Sequence, residues 1–189
     1  EVKDWVTAET PDAQVEEAEF RAAVALGGKV TLTKNIELTK SLIVPEGVST
    51  VIDLNGFDII NNTTDETLAI GDGIVVYGDL TIEGEGTVQG LTRSVWARGN
   101  TGATVTINGG TIIGNIHAVY VSNNGGVANL NGGYYDIKQK YNATTPYRML
   151  LNCGDTGYKN GISKIIVKGG EYVGFDPAHN DAEGANTSY

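Results

Sequence analysis

Five stretches of this chain repeat one short plan, and that repetition constrains the fold more than any other feature. TVIDLNGFDI (50–59), DLTIEGEGTV (79–88), TVTINGGTII (104–113), VANLNGGYYD (127–136) and KIIVKGGEYV (164–173) each place an apolar residue two before a glycine, with a second apolar residue a few positions after it. The anchoring residues are Leu54, Ile82, Ile107, Leu130 and Val167, separated by 28, 25, 23 and 37 residues. Self-similarity at this kind of period marks a solenoid, in which each repeat buries its apolar face against its neighbours. The repeats alternate apolar and polar residues, as short strands do, and no helix intervenes between them. That combination predicts a parallel β-helix, each coil pairing with the coils above and below at about 4.8 Å. The uneven spacing follows if inserts leave at the turns, the largest being around QKYNATTPYR (139–148). An antiparallel sandwich of short strands is the rival, but it has no reason to repeat one motif in phase.

The stretch ahead of the repeats, DAQVEEAEFRAAVALGG, reads differently. Val15, Ala18, residues 20–22, Ala25 and Leu26 recur near a 3.6-residue period, with Asp12 as N-cap and Gly27-Gly28 as stop. This predicts one amphipathic helix over about residues 12–26, the only helix in the chain. A solenoid end exposes strand edges and core, so the helix is expected to lie over the first coil as a lid, apolar face down. The chain then divides into an N-terminal segment with capping helix (1–27) and a single-stranded β-helix of about six coils (28–175). The remaining segment, 176–189, is either an irregular cap or the start of a further region.

Bulk properties limit the function classes. The 189 residues are 40% hydrophobic, a globular composition, and 26 glycines against 4 prolines imply many turns with positive φ. A formal net charge of −10 repels phosphate backbones, so nucleic acid is not an expected partner. No apolar run approaches the roughly 18 residues needed to cross a bilayer. The one cysteine, Cys153, cannot form an internal disulfide and leaves the compartment open. The chain begins at Glu1 without Met, which reads as a processed product or an excised domain.

The helix followed by GGKVTLTKNIEL, the STVIDLNGFDI coil and the ending GGEYVGFDPAHNDAEGANTSY resemble pectin-lyase-like right-handed parallel β-helix proteins. More narrowly, they are similar to uncharacterised phage and surface proteins of gut bacteria. The resemblance covers nearly the whole chain. It implies a right-handed coil, a structural or adhesive role outside the cell, on its surface or on a virion, and leaves a homo-oligomer open. It specifies a fold and a lineage rather than a reaction.

The enzymes of that fold carry recognisable machinery. Pectate-lyase-type sites hold Ca²⁺ on carboxylates beside a basic residue, and polygalacturonase-type sites combine several aspartates with Gly-His-Gly and Arg-x-Lys. Neither tripeptide occurs here. Asp53, Asp72, Asp79, Glu83, Glu85, Asp136 and Asp155 are scattered, mostly at turns or strand ends where Asp caps local backbone. Asp53 and Asp79 are the pair that a coil-to-coil contact would bring together as acid and base. His117 opens a strand and reads as a surface residue. His179, with Asp176, Asn180, Asp181 and Glu183, reads as a solvated acidic loop without the spacing of a Ca²⁺ loop. Cys153 has a core-facing phase and reads as inert packing. Sequons at Asn61, Asn62, Asn142 and Asn186 carry meaning only in a eukaryotic source. No catalytic residue, metal ligand or cofactor is expected.

One constellation stands above this background. The strands preceding the repeats are IVVYG (74–78), SVWARG (94–99), HAVYVSN (117–123) and RMLLNCG (148–154). Setting Val76, Val95, Ala97, Val119, Val121, Met149, Leu151 and Cys153 inward turns Tyr77, Trp96, Arg98, Tyr120, Ser122, Arg148, Leu150 and Asn152 outward. Stacked in register, Tyr77, Trp96 and Tyr120 would form an aromatic ladder flanked by Arg98 and Arg148. Flat rings at a regular rise suit sugar rings. The same residues would equally serve a contact between identical chains, or simple packing under the 139–148 insert. The expected role is a non-enzymatic structural or adhesive module with a surface glycan as partner. The alternative is a polysaccharide lyase or glycoside hydrolase of the pectin-lyase-like group. Ice binding is a third reading, but Thr31–Thr33 and Thr104–Thr106 do not stack into the long Thr-x-Thr array it needs.

Overall fold

The computed structural model describes residues 11–61, 72–99, 102–138, 149–179 and 187–188. Helix α1 (Pro11–Leu26) is followed by short strands distributed in turn among three all-parallel sheets. The first sheet holds β1 (Gly28–Thr31), β4 (Ser49–Asp53), β7 (Asp79–Glu83), β10 (Thr104–Ile107), β13 (Gly126–Leu130), β16 (Ser163–Val167) and β18 (Thr187–Ser188). The second holds β2 (Ile36–Leu38), β5 (Ile59–Asn61), β8 (Thr87–Gln89), β11 (Thr111–Gly114), β14 (Tyr134–Ile137) and β17 (Glu171–Tyr172). The third holds β3 (Leu42–Val44), β6 (Ile74–Val76), β9 (Arg93–Ala97), β12 (His117–Val121) and β15 (Leu151–Cys153). From β1 to β14 each strand pairs with the strand three places on, an arrangement consistent with a parallel β-helix.

Alternation along each strand sends every second side chain inward, and register stacks those side chains into columns. In the first sheet the column is Val30, Ile52, Ile82, Ile107, Leu130 and Val167. In the second it is Ile36, Ile59, Val88, Ile112, Tyr135 and Tyr172. In the third, Leu42, Ile74, Val95, Val119 and Leu151 stack beside Val44, Val76, Ala97, Val121 and Cys153. Apart from Val30 and Tyr172, which are half-buried, these side chains are buried. Four of the five anchors named above are in register. The fifth is corrected: Ile52, not Leu54, pairs with Ile82. Leu54 is also buried, so its face was rightly assigned, but the turn after β4 is two residues longer than the later ones and shifts the motif along the strand. Leu150, assigned an outward phase, is fully buried.

The helix packs against β1 to β4, but with a different face from the one periodicity selects. It also starts at Pro11, so Asp12 lies within its first turn rather than capping it. Phe20, Val24 and Glu17 are buried, whereas Val15, Ala18, Ala22, Ala25 and Leu26 are exposed, Leu26 at 86%. The reason is the hydrogen-bonding demand of an open coil end, where backbone groups lack a strand partner. Glu17 Oε1 accepts from the Thr39 backbone N–H at 2.9 Å, and Thr39 Oγ1 donates to Oε2 at 2.9 Å. Arg21 pairs with Glu17 at 2.5 Å and donates to the carbonyls of Ser41 and Lys40. Thr50 Oγ1 donates to Val24 O at 2.8 Å, satisfying a carbonyl in the last turn of the helix that has no partner within it. The helix therefore packs on strands of all three sheets with polar partners as well as apolar surface. Gly27, with φ +89°, ends the helix in the left-handed region, as its glycines suggest.

A second, short helix, α2 (Asp155–Lys159), is absent from the sequence reading. Asn123 Oδ1 accepts from the N–H groups of Thr156 and Gly157 at 2.9 and 3.2 Å and so anchors its first turn across a coil. No helix among the described residues is long and apolar enough to cross a membrane.

Candidate functional site

The outer face of the third sheet gathers the chemistry. Its in-register outward row is Ile43, Val75, Trp96, Tyr120 and Asn152. Trp96 and Tyr120 are direct neighbours with ring centroids 5.9 Å apart. Tyr77 is not in their row, because Val75 occupies the position beside Trp96. Tyr77 lies two residues further on, level with Arg98, whose N–H donates to Val76 O at 2.8 Å. Arg148 and the 139–148 insert lie outside the described residues.

The geometry is an alternating stack of rings and cations rather than a ladder of rings. The Arg98 guanidinium carbon lies 5.9 Å from the Tyr77 centroid and 4.3 Å from that of Trp96. That of Arg93 lies 3.9 Å from Trp96 and 5.4 Å from Tyr120. His117 then stacks on Tyr120 at 5.5 Å and 20°. Arg93 reaches the indole from the N-terminal side of β9 and Arg98 from its C-terminal side, so the ring is bracketed by cation–π contacts. Trp96 Nε1 is buried and has no hydrogen-bond partner among the described residues.

Arg93 is the residue that sequence reasoning missed. Its phase in β9 matches that of the inward Val95, which argued against a place on the outer face. It sits at the corner where the strand begins, and the corner breaks the alternation. There Asp72, fully buried, takes Arg93 Nε at 2.8 Å and Nη2 at 3.1 Å, leaving the Arg93 side chain 14% exposed. Two arginines flanking a tryptophan within RSVWAR were the available signal. Asp72, read as one of many scattered carboxylates, is half of this pair.

His117 is not the surface residue expected. It is half-buried opposite Arg93, and its Nδ1–H donates to Met149 O at 2.7 Å. Burial pushes its imidazole down to about 4; the Met149 bond opposes this and the Arg93 charge adds to it. The ring is therefore neutral at pH 7. Because the folded pKa lies below the unfolded value of 6.5, stability is complete above pH 6.5 and falls as pH drops toward 4, by at most about 3 kcal/mol. His117→Asn, which keeps a donor near Met149 O, is expected to flatten that slope in urea titrations across this range.

Beside the stack opens a groove of about 470 Å³, lined by Arg93, His117, Tyr120, Asn123, Met149, Asn152, Gly154, Asp155 and Thr156. Among the described residues that line it, Asp155 is the carboxylate and Arg93, paired with Asp72, is the cation, beside amides and hydroxyls. Cys153, on the inward face of β15, has its thiol pushed up to about 11, first by burial and then by the Asp155 charge.

Among the described residues, the carboxylates elsewhere do not converge on a groove. Asp79 pairs in register with Ser49, which donates to it at 3.0 Å, and Asp53 with Glu83. Asp53 and Asp79 thus stand four strand positions apart, roughly 13 Å at 3.3 Å per residue, and cannot act as an acid/base pair. Instead Lys29 Nζ lies 2.9 Å from both Asp53 and Glu83, whose carboxylates hold its ammonium above the usual range. In the tail, Asp176 accepts from the Ala178 N–H and faces His179 at 3.3 Å. Asn180, Asp181 and Glu183 lie outside the described residues. Among the described residues no group of three or more His, Cys, Asp or Glu could hold a metal ion.

No family model matches the chain, and comparison with curated proteins and with solved structures finds no match either.

Proposed function

We propose that this chain is a right-handed, pectin-lyase-like β-helix serving as a rigid, non-enzymatic structural or adhesive module of a phage particle or bacterial surface. In this reading it meets a surface glycan at the groove of the third sheet. The observation that carries the proposal is the state of the groups around that groove. Asp72 and Arg93 neutralise each other in a buried bidentate pair, and His117 is a neutral ring with one nitrogen committed to Met149 O. A glycosidase needs two carboxylates across the scissile bond, and among the described residues the groove offers Asp155 alone. A general base works best with a pKa near the working pH, and His117 lies well below it. What remains is a fixed, polar, partly aromatic surface, whose placed polar groups suit binding and orienting a ligand.

The lyase or hydrolase reading draws on the presence of His117, Tyr120 and Asp155 in one groove. Incubating the protein with a panel of neutral and acidic polysaccharides decides between them. New reducing ends or unsaturated uronates, produced by wild type and lost in His117→Asn, would establish an enzyme. The adhesive reading expects retention on immobilised polysaccharide without product.

A further inference from the structure

The groove also specifies the class of sugar, an inference that rests on the glycan reading just given. We infer that it recognises an uncharged, hydroxyl-rich saccharide by the edges of its polar side chains, and that it discriminates against uronates and sulfated sugars.

Charge supports this first. Arg93, the one guanidinium among the described residues lining the groove, has Nε and Nη2 turned to the buried Asp72 carboxylate, so it presents no net positive charge to a ligand. His117 is uncharged at neutral pH. The whole chain carries −10. An anionic ligand entering here would lose hydration without gaining a free cation among the described lining residues in return. Arg98, the exposed arginine of the stack, does not line the groove.

Ring geometry supports it second. Trp96 is bracketed by two arginines, and Tyr120 has His117 against its ring and Arg93 nearby. Little flat aromatic surface is open for a sugar to stack on, so the aromatic-ladder mode gives way to hydrogen bonding. The Tyr120 hydroxyl and the Asn152 amide have no hydrogen-bond partner among the described residues and line the groove from neighbouring strands. Asn123, its oxygen taken by α2, offers its amide nitrogen, and Thr156 offers a hydroxyl. Amides and hydroxyls can each donate and accept, and a pyranose presents such groups around its rim.

The test is a glycan array holding neutral hexose and N-acetylhexosamine oligosaccharides beside uronate and sulfated ones. It is probed with wild type, Tyr120→Phe and Asn152→Ala, each first shown to be folded by circular dichroism. Neutral hits that weaken about five- to tenfold in both variants, the loss expected for one hydrogen bond, support the inference. Neutral hits unchanged in both variants overturn it by placing the site elsewhere. Exclusively acidic hits overturn it while leaving the glycan reading intact. Binding to no glycan at all overturns both.

Discussion

Asp72→Ala is expected to destabilise the protein by about 3–5 kcal/mol, read as a lower urea midpoint at unchanged slope. The loss comes less from the missing attraction than from what remains. Arg93 would keep its guanidinium in a site only 14% exposed with no carboxylate to face, and a buried unpaired charge is far costlier than a buried pair is helpful. The effect should spread along the sheet, because Asp72 fixes the plane of the Arg93 group that lies against Trp96 and near Tyr120. Arg93→Ala should cost a similar amount by leaving the Asp72 carboxylate unpaired. The double replacement Asp72→Leu with Arg93→Met, which removes both charges and keeps volume, should cost much less than the two single alanine changes together. If the double variant is as unstable as their sum, the pair is not the unit described here.

Gly86→Ala should be severely damaging, at about 4 kcal/mol or more, and is expected to reduce soluble yield. Gly86 has φ +133°, and a Cβ there would stand 2.0 Å from Phe57 O and 3.0 Å from Leu54 Cβ. The obstructing oxygen is backbone, belonging to the coil before, so no rotamer change relieves the clash. Movement would have to separate two coils, and Gly86 O also accepts from the Thr111 N–H of the coil after. Gly47→Ala is the control: φ is +73° but no atom lies within 4 Å of the added methyl, so only the left-handed strain of about 1 kcal/mol should appear. Thermal melts of the two variants side by side separate backbone strain from coil-to-coil contact.

How much of this was legible beforehand varies with the range of the interaction. Inward phase was legible almost everywhere, from Ile52 to Val167, because alternation is a local property of an extended chain. Register was legible where turns are equal in length, as for Ile82, Ile107, Leu130 and Val167. It slipped at Leu54, where the turn is longer. Tyr77 slipped in the same way: its phase was right and its row was not, since two residues change the neighbour without changing the face. At the site, Trp96, Arg98 and Tyr120 were brought together as expected. Arg93, the residue that links them, was invisible to an alternation rule that fails at corners. His117 looked like a surface residue because nothing near it in the chain shows that Met149 O, 32 residues on, lies at hydrogen-bond distance.

The helix shows the same division. Its existence, its length and its glycine stop follow from residues within a few positions of each other. Its buried face does not, and the apolar stripe of Val15, Ala18, Ala22 and Ala25 faces solvent while Glu17 is buried. By itself, then, the sequence determined that short strands would recur, which side chains would point inward, and where glycine had to turn the chain. Only the tertiary structure decided which coil positions meet, which helix face closes the stack and which cation lies between the rings. Those outcomes depend on turn lengths and on unpaired backbone groups at the coil end, and neither leaves a trace in local periodicity.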